Sequence, residues 1–241
     1  MCLKKHKYGW LIAQNHYNLS MERITVFHGS EQIIEHPTYG KGELHNDYGR
    51  GFYTTANKEM GKEWANRKTK NGFINKYSFD ARGLSIFDLR DLDVLNWIAV
   101  LMHNRDIEPQ VKELYKKRFD FLEDSFYPKE IEQYDVIIGY RADDAYFKFP
   151  MYFIQNELSI ERLREIYELG NLGTQIAIMS EKAFSKIKFI SAEEVEPIYF
   201  DRYRSRKNVA DKRFDEIRIE EINNANNTKI EDLMKQYDKH Q

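Results

Sequence analysis

The order in which two apolar periodicities follow one another limits the fold of this chain more than any other feature. Alternating apolar and polar residues predict short strands over Ile24–Gly29, Phe73–Asp80, Leu84–Asp88, Tyr134–Tyr140, Gln175–Met179 and Ile187–Ser191. Successive strand side chains face opposite ways, so this alternation is the mark of a half-buried strand. "YDVIIGY" and "TQIAIM" are rich in β-branched and aromatic residues and are expected to be the most buried. Helical spacing appears in "NKEMGKEWANRK", where Met60, Trp64 and Arg67 share a face. It recurs in "LDVLNWIAVLMHN", in "EPQVKELYKKRFDFLEDSF", and in "SIERLREIYEL", which Ser159 is placed to cap. Most of these helices fall before the fourth strand instead of alternating with strands. That order predicts an α+β domain, not a doubly wound parallel sheet.

Past Pro197 the pattern changes. "DRYRSRKNVADKRFDEIRIEEI" is densely charged, with Phe214, Ile217, Ile219 and Ile222 as its few apolar residues. "TKIEDLMKQYDKH" opens with Thr228 and Glu231 at capping-box spacing. We therefore divide the chain into an accessory segment at 1–20, a domain at 21–200 and a charged helical extension at 201–241.

Charge excludes little and steers nothing. With 37 basic and 39 acidic residues the net charge is -2, so no global attraction to nucleic acid or membrane is expected. Cys2 is the single cysteine, which excludes an internal disulfide framework and any cysteine-rich metal site. No apolar run approaches the ~20 residues of a membrane span, and "GWLIA" is too short for the core of a signal peptide. A cytoplasmic protein is the expectation. His36, His45 and His103 lack metal-ligand spacing, and "GRG" is followed by no Gly-Lys-Ser/Thr, so neither a metal site nor a phosphate loop is read here.

Three stretches carry the functional reading. In "ITVFHGSEQ" the alternation puts His28 on the same face as Ile24 and Val26, followed at once by Gly29 and Ser30. In "NDYGRGFYTTANKEMGKEWA" two glycines bracket an entry into an aromatic strand end at Phe52 and Tyr53, and Trp64 follows eleven residues later. In "LGTQIAIMSEKA" a polar Gln175 opens an otherwise apolar strand. Each residue alone reads as structural: a satisfied histidine, core aromatics, an exposed strand start.

Together, in this order, they resemble the ADP-ribosyltransferase superfamily in its histidine–tyrosine branch. That branch holds diphtheria-toxin-like enzymes, the poly(ADP-ribose) polymerase catalytic domain and a bacterial family of such domains. The resemblance implies split β-sheets around an NAD cleft, with inserted helices. It implies that His28 bonds the adenosine ribose, that the Gly29 backbone pairs with the carboxamide, and that Ser30 adds a contact. Tyr53 would stack on the nicotinamide and Trp64 on its other face, since π-faces hold a cation. At the position where many members carry a glutamate against the nicotinamide ribose, this chain has Gln175. The departure argues against chain elongation and leaves single ADP-ribose transfer, plain NAD hydrolysis or NAD binding alone; single transfer is the favoured reading, with His28, Tyr53 and Gln175 as the catalytic set. A Gln175→Glu change is expected to raise activity if that side chain faces the ribose.

Gly173, two places earlier, argues against arginine-directed transfer. Asp143 and Asp144 in "GYRADD" are candidates to bind the acceptor or act as base, set against an ordinary solvated turn; Glu157 and Glu165 are weaker ones. The implied partners are NAD and a macromolecular acceptor, protein sooner than nucleic acid, with a bacterial toxin or conflict factor and its antitoxin as the setting. No metal is expected. The alternative is a catalytically silent module that binds NAD or ADP-ribose or recognises a partner.

Overall fold

The computed structural model describes residues 23–66, 71–142, 147–169, 173–222 and 227–239. In chain order its elements are β1 (Arg23–Ser30), β2 (Phe52–Thr54), α1 (Lys58–Ala65), β3 (Gly72–Asp80), β4 (Ile86–Asp88), α2 (Val94–Asn104), α3 (Pro109–Leu114) and α4 (Lys116–Phe126). Then follow β5 (Val136–Tyr140), α5 (Lys148–Ile154), α6 (Ile160–Leu169), β6 (Thr174–Ile178), α7 (Glu181–Phe184), β7 (Ile187–Val195), α8 (Ile198–Ile222) and α9 (Ile230–Asp238). The class is α+β, with two sheets. One is antiparallel in the order β1-β3-β7; the other runs β2-β6-β5-β4, with only β4 and β5 parallel.

The second sheet is buried on both faces, which is why its strands read as almost unbroken apolar runs. Val136, Ile138, Ile176 and Ile178 face the first sheet, where they meet Val26, Tyr77 and Phe79. Ile137 and Ala177, the alternate positions, face a larger core built with Trp97 of α2, Phe149 and Phe153 of α5, and Phe214 and Ile217 of α8. Burying such side chains contributes ~1.5–3 kcal/mol each, the main term holding both layers together. Ile230 of α9 joins the same core, so residues assigned to an extension at 201–241 pack within the helical layer. Among the described residues no helix is long and apolar enough to cross a membrane.

Several local expectations shift. The strand expected at Leu84 begins at Ile86, because Leu84 N–H is held in a turn by Ala81 O at 3.2 Å. β7 runs four residues beyond Ser191, because β3 supplies ladder partners to its polar end. Ser159 accepts from Arg162 N–H at 3.3 Å, as a cap does. The cap of α9 moves one residue: Asp232 accepts from Lys229 N–H at 3.2 Å, while Glu231 pairs with Arg118 and Thr228 N–H is bound by Glu161 at 2.9 Å. α5 has no counterpart in the sequence reading. Pro150 disguises it, although a proline in the first turn removes an N–H that has no helical partner anyway.

Asp135 ties the ends of β4, β5 and β6 together through polar contacts. It is 8% exposed and accepts from Ser180 Oγ at 2.5 Å, Ser85 N–H at 2.9 Å and Lys182 Nζ at 3.1 Å. Burial works to raise its carboxyl, but these donors outweigh burial and hold it down at about 2 against an ordinary 3.8. A depressed carboxylate stabilises the fold above its unfolded value and loses that contribution as pH falls toward its folded value. We expect Asp135→Asn to lower stability at pH 7 by about 1–2 kcal/mol, after allowance for solvent screening at exposed Lys182. The deficit should close between about pH 4 and pH 2, measured by urea unfolding of both proteins across that range. A deficit unchanged at pH 2 would contradict this account.

Candidate functional site

Among the described residues one backbone bridge joins the two sheets. Phe27 N–H donates to Thr55 O at 2.8 Å, and Thr55 N–H donates to Phe27 O at 2.9 Å, linking the edge of β1 to the end of β2. Beside this seam lies a cavity of about 830 Å³, within the ~300–1,000 Å³ of small-molecule sites. His28, Gly29, Tyr53, Trp64, Arg141 and Gln175 all line it. Residues far apart in the chain therefore do meet around one hollow.

His28 follows the seam directly. Its Nδ1 lies 2.7 Å from Tyr53 O, and its ring packs 4.4 Å from that of Phe52. A carbonyl only accepts, so Nδ1 carries the hydrogen of this bond. Phe27 turns its backbone groups to Thr55, so the period-two pleat aims those of Gly29 toward the same open edge, into the cavity wall. The missing side chain answers to packing. A Cβ on Gly29 would lie 2.1 Å from Gly61 O and 2.5 Å from Ala65 N, so glycine here lets α1 dock on β1. Ser30 lines the cavity as well, accepting from Asn75 Nδ2 at 3.1 Å. Buried Asn75 also donates to Gln32 O at 3.2 Å and accepts from Ile34 N–H at 2.9 Å, which fixes the loop after β1.

Tyr53 uses its hydroxyl internally. It accepts from Tyr48 N–H at 2.9 Å and donates to Gly49 O at 2.7 Å, clasping a turn in which Gly49 has φ of 82°. Burial, then the nearby charge of Asp47, pushes the phenol well above its ordinary range. The ring alone is offered to the cavity. Trp64 differs from expectation: the guanidinium of Arg141 lies 4.7 Å from its ring centroid. That face holds a protein cation, so it does not stand open for a ligand ring.

Gln175 is buried at the start of β6. Its Nε2 donates to Asp47 Oδ2 at 2.8 Å and, less tightly, to Tyr140 O at 3.3 Å. Asp47 Oδ2 also accepts from Ala142 N–H at 2.9 Å, and Arg105 lies 3.4 Å from Oδ1. Burial raises the Asp47 carboxyl from its ordinary value, against the opposing pull of Arg105, Gln175, Ala142 N–H and Arg141.

Asp47, Arg105 and Asn75 did not emerge from the sequence. "HNDYG" reads as a solvated turn, and nothing local marks its aspartate as buried. Asp143 and Asp144 lie outside the described residues. Glu157 and Glu165 do not line the cavity; they pair with Arg218 and Arg213 on α8 at 3.9 and 3.3 Å. His45 and His103 bond Asn104 O and Glu123 at 3.1 and 2.9 Å, and among the described residues no cluster of metal-ligating side chains occurs.

The architecture is thus a two-sheet α+β domain with one lined cavity at the junction of its sheets. The chain belongs to the family described as protein of unknown function, DUF3990, whose model matches residues 24–189. That span runs from β1 into β7 and includes every cavity residue named above, leaving α8 and α9 outside. Comparison with curated proteins and with solved structures returned no match.

Proposed function

We propose that the cavity binds NAD and that the protein transfers a single ADP-ribose to a macromolecular acceptor. The observation that carries this reading is the convergence of His28, the Tyr53 ring and Gln175 on one hollow beside the seam. In it, the pyridinium rests on the Tyr53 ring, a contact of ~0.5–2 kcal/mol. The outward backbone of Gly29 takes the carboxamide, and the adenosine ribose lies toward His28 and Ser30. Trp64 acts through Arg141, whose charge favours the diphosphate and keeps the pyridinium on the Tyr53 side.

The reaction breaks the bond between ribose C1′ and the nicotinamide nitrogen. Neutral nicotinamide leaves, an oxocarbenium-like state forms, and an acceptor nucleophile adds at C1′ while losing its proton. Gln175 accepts a ribose hydroxyl but brings no charge. That loss of ~1.5–3 kcal/mol slows the chemistry roughly ten- to a hundred-and-fiftyfold relative to a glutamate that ionises there. The same residue favours the second reading, a silent NAD- or ADP-ribose-binding module. The setting of a bacterial toxin or conflict factor, with a matching antitoxin, rests on the resemblance alone.

Labelled NAD incubated with protein and cell lysate separates these readings. Wild type is expected to release nicotinamide and label an acceptor, while Tyr53→Ala loses both NAD binding and release. Tyr53→Phe should keep the ring and bind NAD, yet unfold about 1–2 kcal/mol more easily because Tyr48 N–H loses its acceptor. Saturable calorimetric binding without release supports the silent module. No binding at all removes both readings.

A further inference from the structure

The cavity wall holds a buried carboxylate, Asp47, that sets the orientation of the Gln175 amide beside it. Gln175 and Asp47 are both buried, and the amide nitrogen of the first meets the carboxylate of the second at 2.8 Å. The direction of that amide is chemically determined. Its nitrogen end faces Tyr140 O, which can only accept, and Asp47 Oδ2, which already accepts from Ala142 N–H. A flipped amide would set three acceptor oxygens against one another. Among the described residues nothing donates to the Gln175 oxygen Oε1, and the residue lines the cavity. Asp47 is in turn held by Ala142 N–H at 2.9 Å and Arg105 at 3.4 Å. The pin is therefore anchored from behind.

We propose that Asp47 is a positioning residue: by fixing the Gln175 amide nitrogen, it presents Oε1 as a permanent hydrogen-bond acceptor to the ribose hydroxyl of bound NAD. The inference rests on the NAD reading above and deepens it. A free glutamine presents either end of its amide and so offers an acceptor only part of the time. Pinned by Asp47, it does what one oxygen of a glutamate would do, without a second carboxylate in a confined space. A residue in the loop before β2 thus determines the chemistry offered by a residue on β6, 128 positions away.

Two readouts test this in the full chain. The first is independent of catalysis: the side-chain NH₂ protons of Gln175, assigned in ¹⁵N-labelled protein, should exchange slowly with water in wild type. They should remain slow in Asp47→Asn, whose carbonyl still accepts from the amide, and become fast in Asp47→Ala. The second is nicotinamide release. Asp47→Ala should lower kcat at least tenfold with KM for NAD changed less than threefold, and Asp47→Asn should stay within about threefold of wild type in both. Should Asp47→Ala fail to fold, Asp47→Leu, which keeps the branched outline and lacks the acceptor, takes its place.

Slow exchange lost together with kcat, and both kept by asparagine, supports the assignment. Unchanged exchange or kcat in the alanine or leucine variant overturns it, as does an asparagine variant as impaired as alanine, which would mean that the charge itself acts. If wild type binds no NAD, the NAD reading falls and the ribose role falls with it, while the exchange data still report whether the pin exists.

Discussion

Gly29→Ala is expected to unfold the protein more easily by about 3 kcal/mol and to abolish the NAD binding proposed above, through one methyl group. The added Cβ would stand 2.1 Å from Gly61 O and 2.5 Å from Ala65 N. Both are backbone atoms of a helix, so no flexible side chain can swing aside. α1 must withdraw from β1, and Trp64, with Arg141 stacked on it, must move with the helix. Gly40→Ala is the control. Nothing lies within 4 Å of a Cβ there, and the penalty comes from a φ of +79° alone, about 1 kcal/mol. Denaturant unfolding and calorimetric NAD titration of the two variants check the difference. Equal losses at both positions would mean that α1 is not held against β1 as described.

Gln175→Glu should lose stability and gain no activity at neutral pH, contrary to what the sequence alone leads one to expect. In place of an amide donor, a carboxylate oxygen would face Asp47 Oδ2 and Tyr140 O, at contacts now 2.8 and 3.3 Å long. Two carboxylates at that distance cannot both ionise, so the pair must retain a proton. Leaving it unneutralised and buried costs ~3–5 kcal/mol. The sign follows from linkage. The new carboxyl has a folded value raised above its unfolded one, so the deficit relative to wild type is small near pH 4 and grows as pH rises. Urea unfolding of both proteins at pH 4.5 and pH 8, with nicotinamide release at pH 8, provides the comparison. A variant as stable as wild type at pH 8 and more active would show that residue 175 faces the ribose without the Asp47 contact.

These two cases indicate what could be read from the chain and what could not. His28, Tyr53, Trp64 and Gln175 were legible because each sits at a fixed point in a local pattern, a strand end or a helix face, and the two sheets bring those points together. Gly29 was legible as part of the His-Gly-Ser run, but the need for glycine there was not, since its neighbour is a helix 32 residues on in the chain. Asp47 was invisible for a related reason. Its burial comes from Ala142, Arg105 and Gln175, which share no periodicity with the turn that carries it. Trp64 was identified as an aromatic on the cavity, but its stacked partner lies just beyond the end of β5, and no spacing along the chain pairs the two.

The join between the sheets has a consequence for how such a pocket can vary. Its two links, Phe27 to Thr55 and back, are main-chain bonds at 2.8 and 2.9 Å, and the next contact outward, from His28, also ends on a main-chain oxygen. The gap between the positions holding the imidazole and the phenol ring is therefore ruled by peptide geometry and not by the groups that occupy them. A chain of this architecture can exchange either occupant, and with it the ligand it prefers, while the width of the opening stays the same.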